Sequence, residues 1–517
     1  MSSISPHHFL DSLSEEDSLC LFVKWAFREG AERRYPDLIE IAKDITKKYH
    51  GNPLALVTLA ISLFGNVDKH KWISLRDSEI WQDENRLAMF ALFSLSPINY
   101  VFDSFHVAFL WSALGLLPLE SNNQILKHGP NQYLNELHSR SFLEYFVDYG
   151  TGSTFKLHGL VHDYAKSVAR TYSQIITSSF GSRQRWNARN ASFLSNDVTT
   201  ISATARTILF PIAGVGATSI DFLNALASRC KYLQFLDLSD STYETLPQSI
   251  GNLKHLRYLS LENNKSFKKL ADSICRLHNL EVLILSGCTK LEALPKGLGN
   301  LISLRHLEIT TNLHCLPEDD TARLSSLQTL RVESCKNLKS LFAKTRLPSL
   351  RVLVVSGCSS LRSLPLDIEH FPLLDTLVVD NCDKLELSEG HNDQNSNLRL
   401  KILHFVSMPN LVTLPQWLQG SMKTFQYLLV SCCINLVVLP EWLPTMVCIK
   451  TLYITNCPNL LSLPNDMHRF ATIERFVIDG YPELFRNTQL QVGECSHQQT
   501  TIDETAEIED VVEVELK

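Results

Sequence analysis

What this 517-residue chain lacks narrows its chemistry first. It has no Gly-x4-Gly-Lys-Ser/Thr loop to cradle phosphates, no Gly-x-Ser-x-Gly elbow and no His-Glu-x-x-His pair. With those parts missing, the chain is not expected to be an enzyme. Its 13 cysteines include no Cys-x-x-Cys pair, which excludes the usual zinc and dithiol motifs. Positive charge is in deficit: 48 Lys and Arg face 55 Asp and Glu, for a net charge of −7. That balance excludes a general nucleic-acid binder or a binder of anionic membranes. Long apolar runs are missing too. The most membrane-like stretch, Ser104 to Leu119, is uncharged but contains His106 and Pro118 and falls short of the roughly 20 residues a bilayer requires. The first apolar run contains Lys24 and Glu29, so no secretory signal is expected there.

What is present is repetition. Leu233-Gln-Phe-Leu-Asp-Leu238 recurs as Leu256-Arg-Tyr-Leu-Ser-Leu261 and Leu280-Glu-Val-Leu-Ile-Leu285. The frame returns at Leu304, Leu327, Leu350, Leu374, Leu400, Phe425, Ile449 and Ile473, a mean period of 24 residues over ten steps. That is the pattern of a leucine-rich repeat. Three residues past each frame stands a second mark: Ser241, Asn264, Cys288, Asn312, Cys335, Cys358, Cys382, Met408, Cys433, Cys457 and Tyr481. A Leu-Pro pair, as at Leu246-Pro247 and Leu439-Pro440, gives a third. Cysteines in this phase are expected to be buried, reduced thiols that cap the turn after each strand, which places the chain in an intracellular, cytoplasmic compartment.

The frame dictates its own packing. Three inward leucines cannot offset the ordering of about 24 residues, so each repeat must stack on its neighbours. The result is a solenoid, or horseshoe, with parallel strands and an exposed sheet face. Side chains pointing out of that face include Phe235, Tyr258, His306, Arg331, Val354, His404, Tyr427, Tyr453 and Arg475. Aromatic and Arg side chains are enriched in binding hot spots, so these are the candidate contacts for a macromolecular partner.

The preceding residues read as helical. Ser14-Glu-Glu-Asp17 starts a helix with a hydroxyl cap, Pro36 opens a second, and Gly51-Asn-Pro-Leu-Ala-Leu56 leads into a third. Residues 1–65 form a small helical unit. In residues 66–170, a buried helix from Phe105 to Leu117 precedes two extended runs around Asp148-Tyr-Gly-Thr-Gly152, a winged-helix order of elements. Leu157, Val161, Tyr164, Ala165 and Val168 then make one helical face, with His162 and Asp163 projecting beside it. Residues 171–205, rich in Ser, Thr and Asn, read as a connector. The repeats occupy 206–485, opening with a capping strand at Ile208–Ala213, and residues 486–517 read as a poorly ordered acidic tail. The fold class is α/β, mostly helical at first and then a solenoid.

These motifs together resemble the plant intracellular immune receptors that carry a nucleotide-binding domain and leucine-rich repeats. Gly51-Asn-Pro-Leu-Ala resembles that family's Gly-Leu-Pro-Leu-Ala motif, with Asn52 replacing Leu. Phe90-Ala-Leu-Phe-Ser-Leu-Ser-Pro97, Phe109-Leu-Trp111 and Leu157-His-Gly-Leu-Val-His-Asp163 resemble its winged-helix segments, Val161 replacing Met in Met-His-Asp. The resemblance implies a partial ARC helical subdomain followed by a winged helix. It also implies an ADP/ATP-dependent switch whose repeats sense a pathogen effector or a guarded host protein, or contact the receptor's own nucleotide-binding domain. Pro53 would lie near the adenine, His162 would meet the β-phosphate, and Asp163 would support that turn. Because this sequence carries neither the phosphate loop nor the acids that coordinate magnesium, it is expected to bind ADP negligibly alone and to be an amino-terminally truncated fragment or a short regulatory form. The competing expectation is a repeat adaptor, such as the substrate-recognition subunit of a ubiquitin ligase.

Overall fold

The computed structural model describes residues 13–28, 30–48, 51, 53–77, 84–117, 129–140, 142–148, 152–169, 173–176, 189–195, 202–341, 345–387, 398–464 and 472–479. The acidic tail and Tyr481 lie outside them. The chain divides into two compact units, Met1–Val215 with Tyr232–Leu236, and Gly216–Lys231 with Asp237–Lys517.

The first unit begins with four helices, α1 (Glu15–Ala26), α2 (Pro36–Lys48), α3 (Pro53–Ser62) and α4 (Lys69–Asp77). Ser14 caps α1, its hydroxyl accepting from the Asp17 amide at 3.1 Å, while Glu15, Glu16 and Asp17 favour the positive end of the helix dipole. Leu38, Ile41, Ala42 and Ile45, at helical spacing, lie on the buried face of α2. Phe22, Phe27 and Trp72 join α1 and α4 in one aromatic core.

The winged helix follows: α5 (Glu84–Ala91), β1 (Phe102–Asp103), α6 (Ser104–Ala113), α7 (Gly129–Ser139), β2 (Leu143–Asp148), β3 (Ser153–Leu157) and α8 (Gly159–Ala169). Asp103 caps α6 by accepting from the His106 amide at 2.9 Å. Phe93, Phe102, Trp111 and Phe155 meet mainly edge to face beneath the antiparallel β1-β3-β2 sheet. Among the described residues no helix is long and apolar enough to cross a membrane.

The expected connector differs from what is found. Ser173–Ile176 and Asn190–Phe193 are strands β4 and β5, parallel to each other and to β6 (Thr207–Leu209). In turn, β6 runs beside Phe235 and Leu236 of β7 (Phe235–Asp237). Parallel pairing therefore starts before residue 206. Strands of three or four residues give no periodic signal, so the Ser- and Thr-rich composition masked them.

The second unit contains α9 (Ile220–Arg229) and the strands β8 (Tyr258–Ser260), β9 (Val282–Leu285), β10 (His306–Ile309), β11 (Thr329–Glu333), β12 (Val352–Ser356), β13 (Thr376–Asp380), β14 (Ile402–Val406), β15 (Tyr427–Ser431), β16 (Thr451–Thr455) and β17 (Arg475–Asp479). They pair in sequence order, all parallel, with leucine facing leucine: Leu330 against Leu353, Leu353 against Leu377, Leu403 against Leu428. This is a leucine-rich-repeat solenoid. Leu-Pro marks where the chain turns away from the sheet, Pro247 and Pro415 each standing directly before a 3-10 turn.

After each strand the backbone swings into the left-handed region. Asp240, Asn263, Gly287, Ser334, Gly357, Asn381, Ser407, Cys432 and Asn456 have φ between +48° and +72°. Most are Asn, Asp or Gly, the residues that tolerate that conformation best. The second mark then closes the turn. Asn264 donates to the carbonyls of Leu238 and Leu261 at 2.9 and 2.8 Å. Cys358 directs its thiol to Val332 and Ser356, and Cys433 to Phe405 and Ser431. Burial pushes the Cys288 thiol up to about 12, so these sulfurs serve as weak donors rather than nucleophiles.

One repeat departs from the expected phase. Asn312 is exposed, and Thr311 is buried in its place, its hydroxyl donating to the Leu291 carbonyl at 2.8 Å. Thr311 holds the place taken by left-handed residues elsewhere, but it is not left-handed. Its β-branch disfavours that conformation, so the capping role moves back by one residue. The strand phase predicts two mutational outcomes. Leu353→Asp should cost ~3 kcal/mol or more by burying an unpaired charge, whereas Tyr427→Ala should barely alter the melting temperature. Equal thermal losses in urea or calorimetric melts would refute the phase.

Candidate functional site

Two places carry the predicted site residues. The first lies around α3 and α8, which pack together in the helical unit. Gly51, with φ of +70°, precedes α3, and Pro53 takes the first helical position, where its missing amide costs no hydrogen bond. Pro53 is exposed. Asp163 is exposed as well, its carboxylate 3.9 Å from Lys166.

His162 does not project into solvent as the helical pattern suggested. It is 1% exposed, and its Nε2 lies 2.8 Å from the Ser96 carbonyl oxygen. Thus the His-Asp turn and the Phe90–Pro97 segment, two motifs far apart in sequence, meet through one hydrogen bond. The carbonyl can only accept, so Nε2 carries the proton. Burial holds the ring pKa below its ordinary value despite the Ser96 bond, which keeps the ring neutral. In that tautomer Nδ1 offers a lone pair, and it has no partner among the described residues. A lone pair repels a phosphate oxygen. His162 would have to become cationic to hold a nucleotide's phosphate, and its burial opposes that. In this state His162 does not fit the phosphate of an adenine nucleotide.

The second place is the sheet face of the repeats, and here the candidates separate. Phe235 is fully buried, with the His106 ring edge-on at 5.7 Å. Tyr258 and His306 are 1% and 4% exposed. His306 Nε2 is 2.6 Å from Glu308, and this bond, with Arg331 and Ser286, holds the Glu308 carboxyl down at about 2 although burial opposes its charge. These three are corrections: an outward strand position is open only if nothing lies over it. Val354, at 8%, is nearly buried too.

Arg331 is half-buried, its guanidinium 2.9 Å from Glu333 and 3.6 Å from Glu308. His404, Tyr427 and Tyr453 are half-exposed and form a row of tilted rings, 5.2 and 5.9 Å between successive centroids. Burial pushes His404 down to about 4, so it is neutral at physiological pH. Arg475 is exposed on β17.

The sequence reading missed the acids of this face. Asp237, Glu262, Glu308 and Glu333 occupy outward positions of the first repeats, and strand alternation alone would have placed them there. Partial desolvation and then Asp237, Glu308, Glu333 and Asp240 raise the Glu262 carboxyl above its ordinary value, an effect weakened because the residue is exposed to solvent.

Comparison with known proteins follows the same division. The family model described as "Leucine-rich repeat region" matches residues 217–456, and that described as "Disease resistance protein Winged helix domain" matches residues 95–165. The chain is 33% identical over 313 residues to "Disease resistance protein RGA2" of Solanum bulbocastanum, covering 56% of this chain and 29% of that protein. It is 26% identical over 356 residues to "Disease resistance RPP13-like protein 4" of Arabidopsis thaliana, covering 60% of this chain and 40% of that protein. The chain thus spans under half the length of these curated relatives. Among solved structures, a leucine-rich-repeat protein of Leptospira interrogans is 19% identical over 57% of this chain and 85% of its own, with a TM-score of 0.32.

Because His162 is neutral when folded, its contribution to stability is full above its unfolded pKa of about 6.5 and is lost as pH falls through its lower folded value. His162→Gln keeps a donor for the Ser96 carbonyl but cannot titrate. Melts between pH 7.5 and 5 should show a shallower loss for this variant than for the parent chain. Identical pH slopes would rule the assignment out.

Proposed function

We propose that this chain, which belongs to the leucine-rich-repeat plant disease resistance proteins with a winged helix, acts as the sensor arm of an immune receptor. Its repeats would recognise a pathogen effector or a host protein that such an effector modifies. The observation that carries this reading is the half-open row of His404, Tyr427 and Tyr453, set on a rigid parallel ladder. Rigid aromatic side chains offer large contact area for little loss of conformational freedom, which suits protein recognition. The resemblance to receptors leads to a binding role rather than a catalytic one. Buried thiols that cap strands, as at Cys358 and Cys433, support residence in a reducing compartment inside the cell.

Nucleotide switching is assigned to the rest of a full-length receptor. Residues 1–517 by themselves should give no saturable calorimetric heat with ADP, and micromolar affinity would reverse that assignment. Recognition can be tested by proximity labelling in infected plant tissue. A partner enriched by the parent chain should disappear with Tyr427→Ala plus Tyr453→Ala, while the variant keeps its melting temperature. An unchanged partner set would count against the sheet face as the sensor.

A further inference from the structure

The outward row of the second unit changes chemistry along its length. Over the first repeats it carries Asp237, Glu262, Glu308 and Glu333, close enough that the other three disfavour the Glu262 charge. Arg331 neutralises part of this cluster through Glu308 and Glu333, His306 is hydrogen-bonded to Glu308, and the side chains of Tyr258 and His306 are covered. From β13 to β16 the half-open outward residues are instead Val378, Ile402, His404, Tyr427, Leu429 and Tyr453, with Thr451 and Thr455 flanking Tyr453 on β16. None carries a formal charge, His404 being neutral, and Asp380 beside them is buried and bonded to Ser356 at 2.7 Å.

Positive charge frames this neutral stretch. Arg475 stands in the same outward row, in register with Thr451 and two strands from Tyr427. Lys401 is exposed immediately before β14. Neither forms an ion pair among the described residues, whereas Lys450 nearby is taken by Glu474 at 2.9 Å. A ligand charge over the neutral stretch would lose water without gaining a counter-ion. A carboxylate at its border would find Arg475 or Lys401, and the acids of the first repeats would repel it from the other end.

We infer that the open end of the repeat face, from β13 to β17, takes an extended protein segment that is apolar at its centre and carries a carboxylate side chain at the Arg475 and Lys401 border. This rests on the reading of the sheet face as the recognition surface. The acidic end of the face sets the direction in which the segment lies, and the aromatic row supplies its contact area.

Fluorescence polarisation with the full chain tests this, using three short synthetic peptides carrying fluorescein. One has Leu and Phe at its centre and Asp at one end. The second replaces Asp by Lys, and the third replaces the apolar centre by Gln and Ser. The first should bind at least about tenfold more tightly than either twin. Arg475→Glu with Lys401→Glu should reverse the preference between the Asp and Lys peptides, and Tyr427→Ala with Tyr453→Ala should weaken the first by about fivefold or more. Equal binding of the Asp and Lys peptides, still weakened by the tyrosine pair, would overturn the charge assignment and leave the face reading intact. Indifference to the tyrosine pair would overturn both. So would absence of binding by all three peptides. Sedimentation showing self-association abolished by the tyrosine pair would make a second copy the occupant and overturn the proposal.

Discussion

Every strand of the repeat unit depends on its neighbours for its hydrogen bonds and for the burial of its leucines. The ladder from β8 to β17 is parallel throughout, so no hairpin secures any single pair. The chain must leave the sheet after each strand and return one strand further on, and the exit is the difficult step. A left-handed residue makes the turn, and a buried amide or thiol satisfies the carbonyls it strands. Asn264 does so with two short bonds, and the cysteines with longer, weaker ones. The same geometry explains why six cysteines can lie in one core without disulfide chemistry: each thiol faces a carbonyl, and bonds between neighbouring thiols together with burial raise Cys358, Cys382 and Cys433 above the ordinary range, as burial raises Cys288.

In the first unit a single polar contact has comparable reach. The hydrogen bond from His162 to Ser96 ties α8 to the turn that follows α5. It does so in a protonation state unsuited to an anion. The His-Asp motif therefore carries a structural task in this chain. Pro53 and Asp163 stand exposed near by, and neither adds a donor that would change that conclusion.

How much was readable beforehand follows from what periodicity can report. Leucines with a mean spacing of 24 announced the solenoid, and the helix cap at Ser14 follows from local chemistry. Burial of Phe235, Tyr258 and His306 was invisible, because an outward strand residue has the same sequence signature whether it is covered or open. His162 was misplaced for a related reason: the carbonyl that draws it inward belongs to Ser96, 66 residues away. At Thr311 the frame itself slipped by one residue, since a β-branched side chain resists the turn that Asn or Gly makes readily. The acids of the face share the outward register of its aromatic and Arg residues, so alternation alone places them on the same side.

The covering of the first repeats bears on how this surface can change over generations. At Tyr258 and His306 a substitution disturbs packing on both sides of the sheet at once, so those positions are tied to the integrity of the fold. Around His404, Tyr427 and Tyr453 only the inward leucines belong to the core, and the outward side chains can be exchanged one at a time. The covered end is tied to the packing of the fold, and the open end is where outward side chains can be exchanged without rebuilding the protein.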